Sequence, residues 1–74
     1  MTWNELCKAI SSGEMPRVEY EGRQGTVSVI KSNPVKGHKG CAVLFDGKTW
    51  DDWFWDSEDK DRRSKYMRDL KFVS

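Results

Sequence analysis

Apolar residues recur along this 74-residue chain first at the spacing of a helix and then at the spacing of β-strands. The apolar positions of the first segment share one helical face: Trp3, Leu6, Cys7 and Ile10. Thr2 and Glu5 form a capping-box pattern, and Gly13 is a natural helix stop. A short helix is therefore predicted over residues 2–12. It must dock its apolar face, because a helix this short is marginal alone.

Five later segments have the alternation or the β-branched and aromatic composition of strands. They are residues 17–20, 26–30, 41–46, 49–55 and 68–73. Val27 and Val29 are expected on one face of the second strand. Residues 31–40 are predicted to be a loop, and Asp46-Gly47 predicts a tight hairpin turn. The polar segment 56–67 fits either a short helix or a charged loop.

These elements predict one mainly β (α+β) domain over residues 1–74, in which a helix at 1–13 packs on a bent barrel at 17–73. Several residues and one pentapeptide carry a family resemblance: Val18 and Tyr20 before Gly22, then Arg23, Gly25, Thr26 and Val27, then VLFDG at 43–47, and finally Leu70. The barrel segment resembles a Src-homology-3-like small barrel of the branch that includes KOW and Tudor-like domains. The resemblance implies five strands and a binding module for nucleic acid, peptides or modified side chains.

Charge is nearly balanced over the whole chain but not along it. The net charge of +1 argues against strong, indiscriminate nucleic-acid binding. Residues 31–40 hold three lysines and no acid, residues 46–61 hold seven acids against two lysines, and residues 62–71 hold five basic residues against one aspartate. Local basic and acidic surfaces are therefore expected on a nearly neutral protein.

The aromatic run TWDDWFW at 49–55 raises the question of which rings form the core. In a strand, Trp50 and Phe54 would share one face with Asp52, and Trp53 and Trp55 would share the other. A small barrel has only one interior, so one set should fill it. The other set is either covered by the N-terminal helix, exposed to a partner, or packed against a second copy of the chain.

The first functional hypothesis is a non-catalytic interaction module for a protein or peptide. In this interpretation two exposed tryptophans anchor the ligand and three nearby carboxylates select a basic partner. The predicted residues are Trp53, Trp55, Asp51, Asp52 and Asp56. A solvated acidic face is the alternative explanation for the carboxylates.

The second hypothesis is a nucleic-acid-binding domain in which basic side chains contact phosphates and an exposed tryptophan stacks on a base. The residues it uses are Lys31, Lys36, His38, Lys39, Arg62, Arg63, Lys65 and Arg68. Solvated loops with local ion pairs are the alternative explanation. This hypothesis requires the two basic segments to lie on one face.

Motifs for catalysis and cofactor binding are missing from the sequence, so the protein is not expected to be an enzyme or to carry a metal or cofactor. Cys7 and Cys41 are far apart in sequence; one disulfide could join them, although two reduced thiols fit a cytoplasmic protein better. No segment has the roughly 20 apolar residues of a membrane span. A monomer or a homodimer is expected.

Overall fold

The computed structural model describes residues 1–33, 38–56 and 65–73, without the side chains of Asn33 and His38. Within this part of the chain, one α-helix precedes six strands, and a 3₁₀ helix separates the last two strands. The elements are α1 (Trp3–Ile10), β1 (Arg17–Tyr20), β2 (Arg23–Asn33), β3 (His38–Phe45), β4 (Asp52–Trp55), β5 (Lys65–Tyr66), the 3₁₀ helix (Met67–Asp69) and β6 (Lys71–Phe72).

The strands form one sheet in the order β5-β4-β3-β2-β1-β6, which curls into a half-barrel. Every pairing is antiparallel except that of β4 with β5. The protein is thus mainly β and consistent with a small barrel, but it has six strands instead of the predicted five. Of the closing strand predicted at 68–73, only β6 is a strand, because the 3₁₀ helix takes its first residues. β5 lies in the segment 56–67, which was predicted to be a short helix or a charged loop. Two-residue strands are too short to show alternation.

Helix α1 closes the inner side of the curled sheet. Thr2 accepts a hydrogen bond from the Glu5 backbone at 3.1 Å, and the Glu5 carboxylate accepts one from the Thr2 backbone at 2.9 Å, so the predicted capping box is confirmed. Leu6 is fully buried in the same cluster as the inward residues of the sheet. The Met1 nitrogen donates to the carbonyl oxygens of Met67 and Leu70, which ties the start of α1 to the 3₁₀ helix.

A β-bulge in β2 corrects the expectation that Val27 and Val29 share a face. Val27 pairs with Val43 and is fully buried, whereas Val29 pairs with the next residue of β3, Ala42, and is 46% exposed. Ser28 is the extra residue between them. One additional residue shifts the alternation of side chains by one step, so Val29 points away from the core.

The sheet extends further at one end and less far at the other than predicted. Residues 31–33 and 38–40, predicted to be loop, continue β2 and β3 up to the pairing of Asn33 with His38. Gly47 adopts the positive φ of the predicted turn, at 82°, but β4 begins only at Asp52. Trp50 therefore lies outside the strand, is 58% exposed, and does not share the buried face of Phe54.

Candidate functional site

The outer side of β2, β3 and β4 carries apolar side chains that α1 does not cover. Val29, Ala42 and Trp53 form one cross-strand row, and Leu44 follows Ala42 on the same face of β3. Val29, Leu44 and Trp53 are 46%, 39% and 37% exposed. We call Val29, Ala42, Leu44, Trp53 and Trp55 the outer patch. The N-terminal helix does not cover this patch, because α1 packs with the core on the opposite side of the sheet.

The two tryptophans of the outer patch are held in a defined arrangement. Trp53 and Trp55 stack with ring centroids 5.5 Å apart and planes 14° apart. Trp55 is half-buried and lies over Gly40: a Cβ at that glycine would stand 2.6 Å from the Trp55 Cε3 atom and 2.6 Å from the Phe54 oxygen. The indole can lie over β3 because glycine has no side chain at position 40.

The three predicted carboxylates occupy different positions around the patch. Asp51 is exposed and accepts a hydrogen bond at 2.9 Å from the Ser28 hydroxyl, which places its carboxylate beside the bulge of β2. Asp56 is exposed at the far end of β4. Asp52 alternates to the side of Phe54 and pairs with Lys65 at 3.3 Å. Asp51 and Asp56 thus flank the tryptophans, whereas Asp52 neutralises a lysine beside the core.

Of the predicted basic residues, the structure describes Lys31, Lys39, Lys65 and Arg68, and these lie toward one end of the sheet. Lys31 is exposed and pairs across β2–β3 with Gly40, whose other neighbour is Trp55 on β4 and whose row continues to Tyr66 on β5. The Lys39 ammonium lies 5.9 Å from the Trp3 ring centre, and the Arg68 guanidinium carbon lies 4.8 Å from that of Tyr66. The predicted residues Lys36, Arg62 and Arg63, and the side chain of His38, lie outside the described residues.

Three members of the patch, Val29, Ala42 and Leu44, were not predicted as site residues. Ala42 and Leu44 could have been found from alternation, because Cys41, Val43 and Phe45 point inward on either side of them. Val29 could not, because a bulge that reverses its direction leaves no signature in a run of β-branched residues. Lys48 lies in the loop between β3 and β4, at the same end of the sheet as Asp51, and its ammonium is 5.1 Å from the Trp50 ring centre.

Reactive groups are sparse in the described part of the chain. Cys7 and Cys41 are both free thiols, and burial raises the pKa of the Cys41 thiol to about 11, which disfavours its thiolate. No cluster of three or more metal-ligating side chains occurs among residues 1–33, 38–56 and 65–73. None of the helices described is long and apolar enough to cross a membrane. A shallow groove beside α1 is lined by Glu5, Lys8, Ala9 and Phe72.

No family model, curated protein or solved structure matches this chain.

Proposed function

We propose that this protein is a non-catalytic interaction module that binds a protein or peptide on its outer patch. We also infer that the curled sheet is a Src-homology-3-like barrel. The pairing of β1 with β6 and the 3₁₀ helix directly before β6 support this inference, because together they close the sheet with the last segment of the chain.

The observation that carries the proposal is the continuity of the exposed apolar surface. Six large apolar side chains are exposed in the described chain. Three of them, Val29, Leu44 and Trp53, surround the buried Ala42 on one side of one sheet. Scattered exposed apolar residues are ordinary, but a contiguous patch centred on tryptophan is typical of an interface.

The partner's chemistry follows from the groups at the rim of the patch. Asp51 and Asp56 make no ion pair among the described residues, so they can accept hydrogen bonds from a basic partner group. The faces of stacked indoles also attract a cation. A ligand with apolar side chains for the centre of the patch and a basic group for Asp51 or Asp56 fits this surface.

Selection from a random peptide display library on the immobilised protein tests the proposal. Selected peptides should combine apolar and basic residues and should bind Trp53→Ser and Leu44→Ser at least about tenfold more weakly, since both substitutions remove central contact area. Met15→Ser is the matched control, because Met15 is 44% exposed but lies between α1 and β1. Peptides that bind all four proteins equally would refute the proposal.

Nucleic-acid binding is a second candidate, favoured by one specific observation. Lys31, Lys39 and Arg68 lie at the same end of the sheet as Trp55 and Tyr66, so the two basic segments begin or end beside aromatic rings. Lys31 shares the outer side with Trp55, whereas Lys39 faces Trp3 on the α1 side, so the basic side chains do not all lie on one face. Titration with a single-stranded oligonucleotide at low and physiological salt distinguishes it. Binding that weakens steeply with salt and is lost in Lys31→Glu but retained in Leu44→Ser would favour this candidate.

A further inference from the structure

Lys31 and Asp51, which carry opposite charges, stand at opposite ends of the outer patch. Lys31 stands beyond Val29 along β2, and the Asp51 carboxylate is fixed by Ser28 just before Val29. Ser28 and Lys31 are three residues apart, so their Cα atoms are separated by roughly 10 Å along the strand. Neither side chain forms an ion pair within residues 1–33, 38–56 and 65–73.

Such a surface is complementary to itself. A two-fold axis that lies in the plane of the patch, at right angles to the line from Lys31 to Asp51, turns one copy to face the other. The same rotation places each Lys31 opposite the partner's Asp51 and packs the Val29–Ala42–Trp53 row of one copy on that of the other. An isologous contact requires this reciprocal arrangement, and it forms both charge pairs at once.

Strand directions permit this contact as well. Because Ser28 and Lys31 belong to one strand, the axis runs nearly across the strands, and the two outer sheets then meet with their strands nearly aligned. Aligned face-to-face packing is the usual arrangement for two twisted sheets. The exposed indole of Trp53 would enter the centre of the contact, where aromatic side chains contribute most to association.

We propose that the partner of the outer patch is a second copy of this chain, held in a two-fold dimer by apolar contact around Trp53 and by two Lys31–Asp51 pairs. This inference rests on the proposed function, since it specifies what binds the patch. The apolar centre is small, so the dimer is expected to form in the micromolar to millimolar range, as weak interfaces do.

Sedimentation equilibrium of the protein over about 5 µM to 1 mM tests this inference. The average mass of the wild type should rise toward that of a dimer, and Trp53→Ser should remain monomeric. Lys31→Glu and Asp51→Lys should each raise the dissociation constant by about tenfold, because like charges then face each other. The double variant Lys31→Glu/Asp51→Lys should restore it, whereas Lys8→Glu on α1 should have no effect.

Two results would overturn the dimer, and neither of them by itself refutes the proposal that the outer patch binds a protein or peptide. A wild type that stays monomeric throughout, or a double variant no tighter than its single parents, excludes the two-fold contact. If display-selected peptides still require Trp53, the patch binds a foreign partner instead. Amide NMR spectra that keep the dispersion of the wild type show that a loss of dimer in a variant is not a loss of fold.

Discussion

Phe54 and Trp53 are consecutive aromatic residues of β4 that point to opposite sides of the sheet, so truncating each to alanine should have unequal effects on stability. Phe54 is fully buried, with the ring centroids of Tyr20 and Phe45 at 5.0 and 6.1 Å in edge-to-face geometry. Trp53 leaves 37% of its surface exposed and has Trp55 stacked on one side.

The expected losses follow from these environments. Phe54→Ala removes a buried ring and leaves a cavity in a closed core, which costs about 3–5 kcal/mol. A chain of this length has a total stability on the order of 4–11 kcal/mol, so Phe54→Ala loses a large fraction of it and unfolds if the wild type lies at the low end of that range. Trp53→Ala leaves no cavity and exposes partly solvated neighbours, which costs about 1–2 kcal/mol. Phe54→Leu provides an intermediate that remains folded.

Urea unfolding followed by far-ultraviolet circular dichroism measures all three variants without depending on tryptophan fluorescence. The protein should be kept near 5 µM so that association does not add to the apparent stability. A Trp53→Ala variant that loses as much stability as Phe54→Ala would refute the reasoning. It would mean that the outer patch is covered in the isolated chain and is not available for docking.

Three further measurements address the glycine, the thiols and the surface ion pair. Gly40→Ala should cost about 1–3 kcal/mol and alter the near-ultraviolet dichroism of the stacked indoles, because its Cβ would stand 2.6 Å from the neighbouring ring; an unchanged spectrum contradicts this. At pH 8, iodoacetamide should modify Cys7 before Cys41, whose pKa is raised by burial to about 11, and mass spectrometry showing equal rates would exclude it. The Arg17 hydrogen bond holds the pKa of Asp46 below its ordinary value of 3.8, so the pair stabilises the fold above that pH and loses its effect as pH falls through the lowered pKa. Asp46→Asn should therefore be less stable than wild type at pH 7, and a difference that persists undiminished at pH 2 would be inconsistent with this pair.

Local patterns predicted the local structure well. The capping box at Thr2 and Glu5 forms as expected, because its hydrogen bonds involve only residues of the same turn. Asp46-Gly47 makes a turn, in which the Lys48 N–H donates to the Phe45 carbonyl and Gly47 has a positive φ, but the tight hairpin expected there is wrong, because β4 begins only at Asp52. The division of Phe54 and Trp53 between two faces also followed from simple alternation.

Features that depend on tertiary pairing were not predictable. The bulge at Ser28 becomes visible only when β2 is paired with β3, and the exposed position of Val29 depends on it. β5 consists of two residues placed beside β4 by the rest of the fold. The sequence left open whether α1 would cover the Trp53 side or the core side of the sheet. Both faces of β4 carry aromatic side chains on which the apolar face of α1 could pack.

The bulge gives β2 an uneven tolerance to changes in length. Removing Ser28 would make Val27 and Val29 direct neighbours, and each would keep the face that it has now, so the strand would lose only its irregularity and the anchor of Asp51. Removing one residue from the regular stretch after the bulge would instead move the remaining side chains to the wrong face. Natural variants of this chain that differ by a single-codon deletion in β2 are therefore expected to lack the residue at position 28, and the proposed dimer contact should be the property that such variants lose first.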